Sequence, residues 1–324
     1  MEPSDGVPER ERERAVADLG AGSLPASVER LVGRYDRIIP ERGRYVWDWL
    51  ADTLPTFRLG SVVPEHEARA DEARLLVSVF VTTLNDLSDR REDDDAFETA
   101  ALIPQGEFDA ATAADPAVEL AADAWDALLD RLEGAPRFDT HLATLRRDLA
   151  WTVRAQRHAA WSARRPAETT YEECLQEQAP TMCMDALATV DLMCSPTFDP
   201  TEERAVREAV ALVEPLGRIG NWLTTWEREL EEGDLANGIV VKGVEDGVVS
   251  PEAVRRASAE PTVRPAFRRR IREAGVELAV EEDWRRRYER ALGHEWETGT
   301  VDLDSFVAAM DDVRRRHDAS RGKK

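Results

Sequence analysis

Apolar residues recur every three or four positions along most of this 324-residue chain, and no segment is rich in strand-like alternation. That spacing predicts amphipathic helices over residues 28–38 and 42–54, the second carrying Tyr45, Trp47 and Trp49, with Pro40 and Pro55 as punctuation. A longer helix is expected over 64–91, where Val77, Phe80, Val81 and Leu84 keep the helical interval until the polarity switches at Asn85. Residues 94–115 lose the period around Pro104 and Gly106 and read as a loop after a short helical end. Helices follow over 117–133 and 140–164. In the segment 166–184, Pro180 removes a backbone donor and breaks the helix that the segment opens. The run 201–232 contains Pro215 as a kink, with Gly217 and Gly220 permitting close packing. Shorter, basic helices over 251–259, 263–274, 280–292 and 301–317 complete the pattern. Residues 1–24 hold Pro, Gly and an alternating Glu-Arg run from Glu9 to Arg14, and bury too little apolar surface to fold alone. The expected organisation is a flexible tail at 1–24 followed by one all-α domain over 25–320.

Two stretches carry candidate chemistry. In residues 219–240, Asn221, Thr225 and Glu229 recur every four positions, which sets their side chains on one helix face. An amide carbonyl, a hydroxyl and a carboxylate are all oxygen donors, a set that suits a hard cation such as Mg2+. In residues 83–95, Asn85, Asp86 and Asp89 stand three and four apart and share a face in the same way. A chain this acidic shows Asp-x-x-Asp by chance, and Asp93, Asp94 and Asp95 read as solvated surface. Asparagine discriminates better, because Asn85, Asn221 and Asn237 are the only ones in the sequence and all fall in these two stretches.

At these residues the chain resembles the class I terpene synthases (terpenoid cyclases) of bacterial or archaeal type. That family carries an Asp-Asp-x-x-Asp motif on one helix, here Asn85-Asp86-Leu87-Ser88-Asp89, and an Asn-x-x-x-Ser/Thr-x-x-x-Glu motif on a facing helix, here Asn221, Thr225 and Glu229. Arg228 before the Glu, and Gly233-Asp234 with Asn237 after it, extend the likeness. The resemblance implies a single-domain antiparallel helical bundle whose two motifs hold three Mg2+ ions and ionise an all-trans prenyl diphosphate. It would make the protein a carbon–oxygen lyase that cyclises or deprotonates the carbocation. Asp86, Asp89, Asn221, Thr225 and Glu229 would carry the reaction, Asn85 would join them as a metal ligand, and Arg228 would add charge beside the diphosphate. Phe80, Trp222 and Trp226 are the aromatic candidates for the cavity. For the two tryptophans plain packing stays open as well, since neighbouring helix positions face different directions.

The sequence also departs from the family. Asn85 replaces the leading Asp, so Asp86 must compensate for a weaker ligand. Gln178 stands where many members carry an Arg that senses the diphosphate, and a neutral amide brings no charge. Either ionisation suffers or another Arg has taken the role; if the site is short of that charge, Gln178→Arg should raise turnover or tighten substrate. For the C-terminal Arg-Tyr pair, Arg287-Tyr288 lies closer to Glu229 than the pattern expects, while Arg316-His317 has the better distance and lacks the Tyr. An elongating or head-to-head condensing prenyltransferase would share fold and metals but normally shows two aspartate-rich motifs. A non-catalytic prenyl-diphosphate binder is the alternative that Asn85 and Gln178 favour.

Charge narrows the partners. Sixty-five acidic residues against 43 basic ones give a net charge of -22, which repels nucleic acid and anionic lipid. A homodimer stays open. Cys174, Cys183 and Cys194 form an odd set without a C-x-x-C pair, so buried free thiols are expected. No apolar run approaches a membrane span and no signal-like stretch opens the chain, so a soluble, cytoplasmic protein is expected. Lysine is confined to Lys242, Lys323 and Lys324, and with the acid surplus this predicts a salt-loving protein. Its melting temperature should then rise from dilute buffer to molar KCl as self-repulsion is screened; a flat or falling profile would count against the halophilic reading.

Overall fold

The computed structural model describes residues 24–40, 43–106 and 115–323, so the tail expected over 1–24 lies outside them except for Leu24. The regular spacing becomes helix throughout, and among the described residues there is no strand. In chain order the helices are α1 (Ala26–Ile38), α2 (Tyr45–Thr53), α3 (Pro64–Asp89), α4 (Asp94–Ala101), α5 (Pro116–Leu132), α6 (Phe138–Arg164), α7 (Tyr171–Gln178) and α8 (Met184–Met193). They continue as α9 (Glu203–Glu232), α10 (Gly238–Glu245), α11 (Pro251–Ala259), α12 (Arg264–Glu273), α13 (Val276–Leu292), α14 (Leu303–Ala308) and α15 (Met310–Ala319). Several starts are fixed by side-chain caps from Asp115, Thr170, Asn237, Ser250 and Asp302. Asp93, expected as mere solvated surface, caps α4 by accepting from the Ala96 N–H at 3.0 Å.

The two long helices that carry the motifs organise the packing. α3 lies chiefly against α5 and also meets α1, α6 and α8, while α9 lies chiefly against α13 and α15. Leu76, Val77, Phe80 and Leu87 on α3 are fully buried, and each such side chain contributes about 1.5–3 kcal/mol. An ion pair with both partners buried ties α3 to α8: Arg74 Nη1 lies 3.2 Å from Asp191 Oδ2, which also accepts from the Leu59 N–H at 3.0 Å. Such a pair adds little net stability against an apolar replacement, yet losing one partner costs about 3–5 kcal/mol because the other charge is stranded.

Two helices were not foreseen. α8 is buried on nearly all sides, so it has no one-sided apolar stripe to read. α10 is short and owes its start to the Asn237 cap. The break near Pro180 is present: α7 ends at Gln178, a 3-10 turn spans Ala179–Met182, and Cys183 takes a left-handed conformation at φ 51°. α8 then begins with the Met184 N–H donating to Glu214 Oε1 on α9 at 2.9 Å. Pro215 lies inside α9, which continues through it as one 30-residue helix.

All three cysteines are buried free thiols, pushed up to about 12 by desolvation. Among the described residues no helix is long and apolar enough to cross a membrane. Burial also pushes the Glu214 carboxyl up to about 8 from 4.5. A fold that prefers the protonated acid is stabilised fully below the unfolded value and loses that contribution as pH rises through the folded one. Urea unfolding of the unaltered protein should therefore show stability falling between about pH 4.5 and 8. Glu214→Gln keeps an acceptor for Met184 and needs no proton, so it should flatten that slope; an unchanged slope would remove Glu214 as its source.

Candidate active site

Both motif helices change character along their length, and this puts the site at one end of a cavity. On α3 the cavity face runs through Ser78, Val81 and Thr82 to Asn85 and Asp89. On α9 it runs through Arg218, Asn221, Thr225, Glu229 and Glu232, at intervals of three and four residues. Together they line a cavity of about 220 Å³ whose remaining walls include Leu54, Phe57, Leu187, Met310 and Val313. The two sequence motifs thus share one space, polar on the motif side and mixed elsewhere, where Thr53, Gln156, Thr181 and His317 interrupt the apolar walls.

Each acid is held by a specific partner. Asp86 is fully buried; the Tyr35 hydroxyl donates to its Oδ2, and Arg90 Nε lies 3.3 Å from its Oδ1. Asp86 is thus committed to α1 and to the end of its own helix. Asn85 and Asp89 are the partly buried pair of this wall that faces the cavity, with Asn85 Nδ2 donating to Asp89 Oδ2 at 2.8 Å. Burial raises the Asp89 carboxyl well above the carboxylate range, and the negative charges of Asp234 and Asp86 push it further.

On the other wall Glu229 Oε2 accepts from Asn237 Nδ2 at 2.6 Å, while Asn237 Oδ1 accepts from the Ile239 N–H at 2.9 Å. Gly233, at φ 90°, closes α9, and the Gly233 and Asp234 N–H groups both reach the Glu229 carbonyl. Asp234 is pushed up to about 6, mainly by burial and then by Glu229. The Gly-Asp-x-x-Asn string therefore has a physical reading: it turns the chain sharply and returns an amide to orient Glu229. Glu227 points the other way, to Arg272 and to Arg268 at 3.2 Å, as a two-residue step on a helix requires.

Among the described residues three guanidinium groups line the cavity. Arg90 reaches Glu232 at 3.0 Å in addition to Asp86. Arg228 contacts Glu232 and lies 3.6 Å from Glu229. Arg218 was not singled out from the sequence, although extending the Asn221–Thr225–Glu229 row back by three residues finds it. It donates through Nη2 to Gln178 Oε1 at 3.1 Å and through Nη1 to Asn221 Oδ1 at 3.5 Å. Gln178 itself is fully buried and reaches the site through Arg218.

The other expected site residues lie elsewhere. Phe80 faces α5, its ring 6.2 Å from that of Trp125. Trp222 is packed against the start of α10, where a Cβ on Gly238 would sit 2.3 Å from its ring. Trp226 donates to Glu277 Oε1 on α13 at 2.6 Å. Arg287 is paired with Asp283 and Glu172, and the Tyr288 hydroxyl donates to the Ala308 carbonyl at 3.1 Å. Arg316 pairs with Asp52 on α2. None of these lines the cavity. The tryptophans sit one step, about 100°, from the row that does.

The donors on the two walls are carboxylate, amide and hydroxyl oxygens, which fit Mg2+ in kind. Among the described residues no three His, Cys, Asp or Glu side chains converge on one point to cage an ion. Mg2+ usually takes only one or two protein carboxylates and completes its shell with water and substrate phosphates. The crowding that raises Asp89 and Asp234 is the condition that a divalent cation relieves.

Neither a family model nor a curated protein matches the chain. Among solved structures it is similar to isoprene synthase from grey poplar leaves (Populus x canescens) in complex with three Mg2+ ions and dimethylallyl-S-thiolodiphosphate. The TM-score is 0.62 at 13% identity, over 96% of this chain and 54% of that one. A second structure of that enzyme gives 0.59 at 12% identity, over 97% and 54%. The chain thus spans about half the length of these proteins. The likeness shows the fold, an all-α helical bundle of the terpene synthase type.

If the row on α9 binds metal, Glu229→Gln should sharply raise the Mg2+ concentration that stabilises the protein in the presence of inorganic pyrophosphate. Glu227→Gln should leave it unchanged, at a cost of about 0–1 kcal/mol from its exposed ion pairs. Melting curves across a Mg2+ titration decide this, and equal responses from the two variants would dismiss the row as a metal site.

Proposed function

We propose that the protein is a Mg2+-dependent terpene synthase, a lyase that ionises an all-trans prenyl diphosphate and cyclises or deprotonates the resulting carbocation. One observation carries this reading: the Asn85–Asp89 pair and the Asn221–Thr225–Glu229 row line the same cavity, whose other walls include the apolar side chains of Leu54, Phe57, Leu187, Met310 and Val313. The isoprene synthase of similar fold, whose structure holds three Mg2+ ions and a diphosphate analogue, supports it.

In this reading Asp89 and Asn85, backed by Asp86, hold Mg2+ from α3, and Asn221, Thr225 and Glu229 hold it from α9. Bound Mg2+ supplies Lewis-acid neutralisation of the leaving diphosphate. Asn237 keeps Glu229 oriented through its 2.6 Å hydrogen bond, and metal-site partners of this kind are typically worth 10–100-fold in metal affinity. Arg228 adds positive charge at the polar end, where the C–O bond breaks and its electron pair stays with the diphosphate oxygen. Leu54, Phe57 and Leu187 keep water from the carbocation, so that rearrangement or proton loss precedes capture.

Incubation of the protein with five- to twenty-carbon prenyl diphosphates and Mg2+, followed by gas chromatography with mass detection, tests this. A released hydrocarbon or alcohol that disappears when the metal is chelated is the expected result. A longer diphosphate would identify a chain-elongating or condensing prenyltransferase instead. No turnover of any chain length would leave a non-catalytic binder.

A further inference from the structure

Arg218 differs from the other cations of the cavity in what it touches. Arg90 and Arg228 are each bound to carboxylates, whereas Arg218 makes no ion pair among the described residues. Its hydrogen bonds go to two neutral amides, Gln178 Oε1 at 3.1 Å and Asn221 Oδ1 at 3.5 Å. Its guanidinium carbon stands 5.2 Å from the centre of the Trp222 ring, and its buried Nε finds no acceptor among the described residues. Asp89 and Asp234 feel its charge, yet neither is in contact with it. A guanidinium kept only to balance those acids would gain most by pairing with one of them. Here an aromatic face and two amide oxygens fix its orientation and leave its charge unspent, and it lines the same cavity as both motifs.

We propose that Arg218 is the residue that recognises the diphosphate of the substrate, with Gln178, Asn221 and Trp222 as the residues that position it. This rests on the diphosphate reading above and assigns the charge that Gln178 cannot supply. Gln178 is then an acceptor for the recognising arginine. The expectation that Gln178→Arg raises turnover is thereby reversed: in a fully buried position it would set a second guanidinium against the first.

The test is calorimetric binding of inorganic pyrophosphate at saturating Mg2+, with circular dichroism to check folding. The unaltered protein should bind, and Arg218→Gln should weaken binding roughly 30-fold or more. Gln178→Arg alone should also weaken it or lower the melting temperature. The exchange of both, Arg218→Gln with Gln178→Arg, should recover much of the binding, because one guanidinium again faces one amide. Arg218→Lys, which keeps the charge but loses the fork, should fall between. Folded Arg218→Gln that binds as well as the unaltered protein would overturn the assignment, as would tighter binding by Gln178→Arg alone. If the unaltered protein binds no pyrophosphate with Mg2+, the diphosphate reading itself fails and this one with it.

Discussion

Asp86, Asp89, Glu229 and Asp234 are crowded at one end of a cavity, where burial and the neighbouring negative charges disfavour the charged forms of Asp89 and Asp234. Most of the local structure can be understood as the means of holding them there. Tyr35 crosses from α1 to hold Asp86, Asn85 bonds Asp89 along the helix, and Asn237 returns from beyond the α9 terminus to hold Glu229. The cost of the crowding is borne by the packed body of α3 and α9, whose apolar turns are sunk in a continuous core.

The broken helix between α7 and α8 belongs to the same arrangement. Because α7 stops at Gln178, its last side chain is delivered to Arg218 instead of running past it. The orphaned start of α8 finds its acceptor in Glu214, one turn before Arg218 on the same helix. Under the proposed function, α9 thus supports the metal row, the cation beside it and the break that positions that cation's partner.

Much of this was legible in the sequence, because helix periodicity and oxygen-donor spacing are local properties. The rows at Asn85–Asp89 and Asn221–Thr225–Glu229 needed only the 3.6-residue turn to be read. Trp222 and Trp226 were ambiguous for the same reason: one residue of offset points a side chain to a different neighbour, and only the positions of α10 and α13 decide which. Arg287 and Arg316 could not be separated from other arginines, since in so acidic a chain most arginines find a carboxylate, as these two do. Arg218 shares the face of that row, but the motif letters begin at Asn221, whereas the helix face does not. α8 escaped because a helix buried all round shows no polar stripe.

The contact between Gly238 and Trp222 has a further consequence, for how the molecule ages. Asn237-Gly238 is the one Asn-Gly dipeptide in the sequence, the pair most prone to succinimide formation because glycine leaves its backbone nitrogen open to attack. Replacing the glycine is not a remedy, since any Cβ would collide with the indole. In the folded chain Asn237 is fully buried, with its amide engaged at both ends, and cannot reach the cyclising geometry. Each unfolding excursion lifts that protection. Deamidation there would return a carboxylate facing Glu229 where the fold needs a donor, so damage accumulated on heating would be written first into the site and only later into the fold.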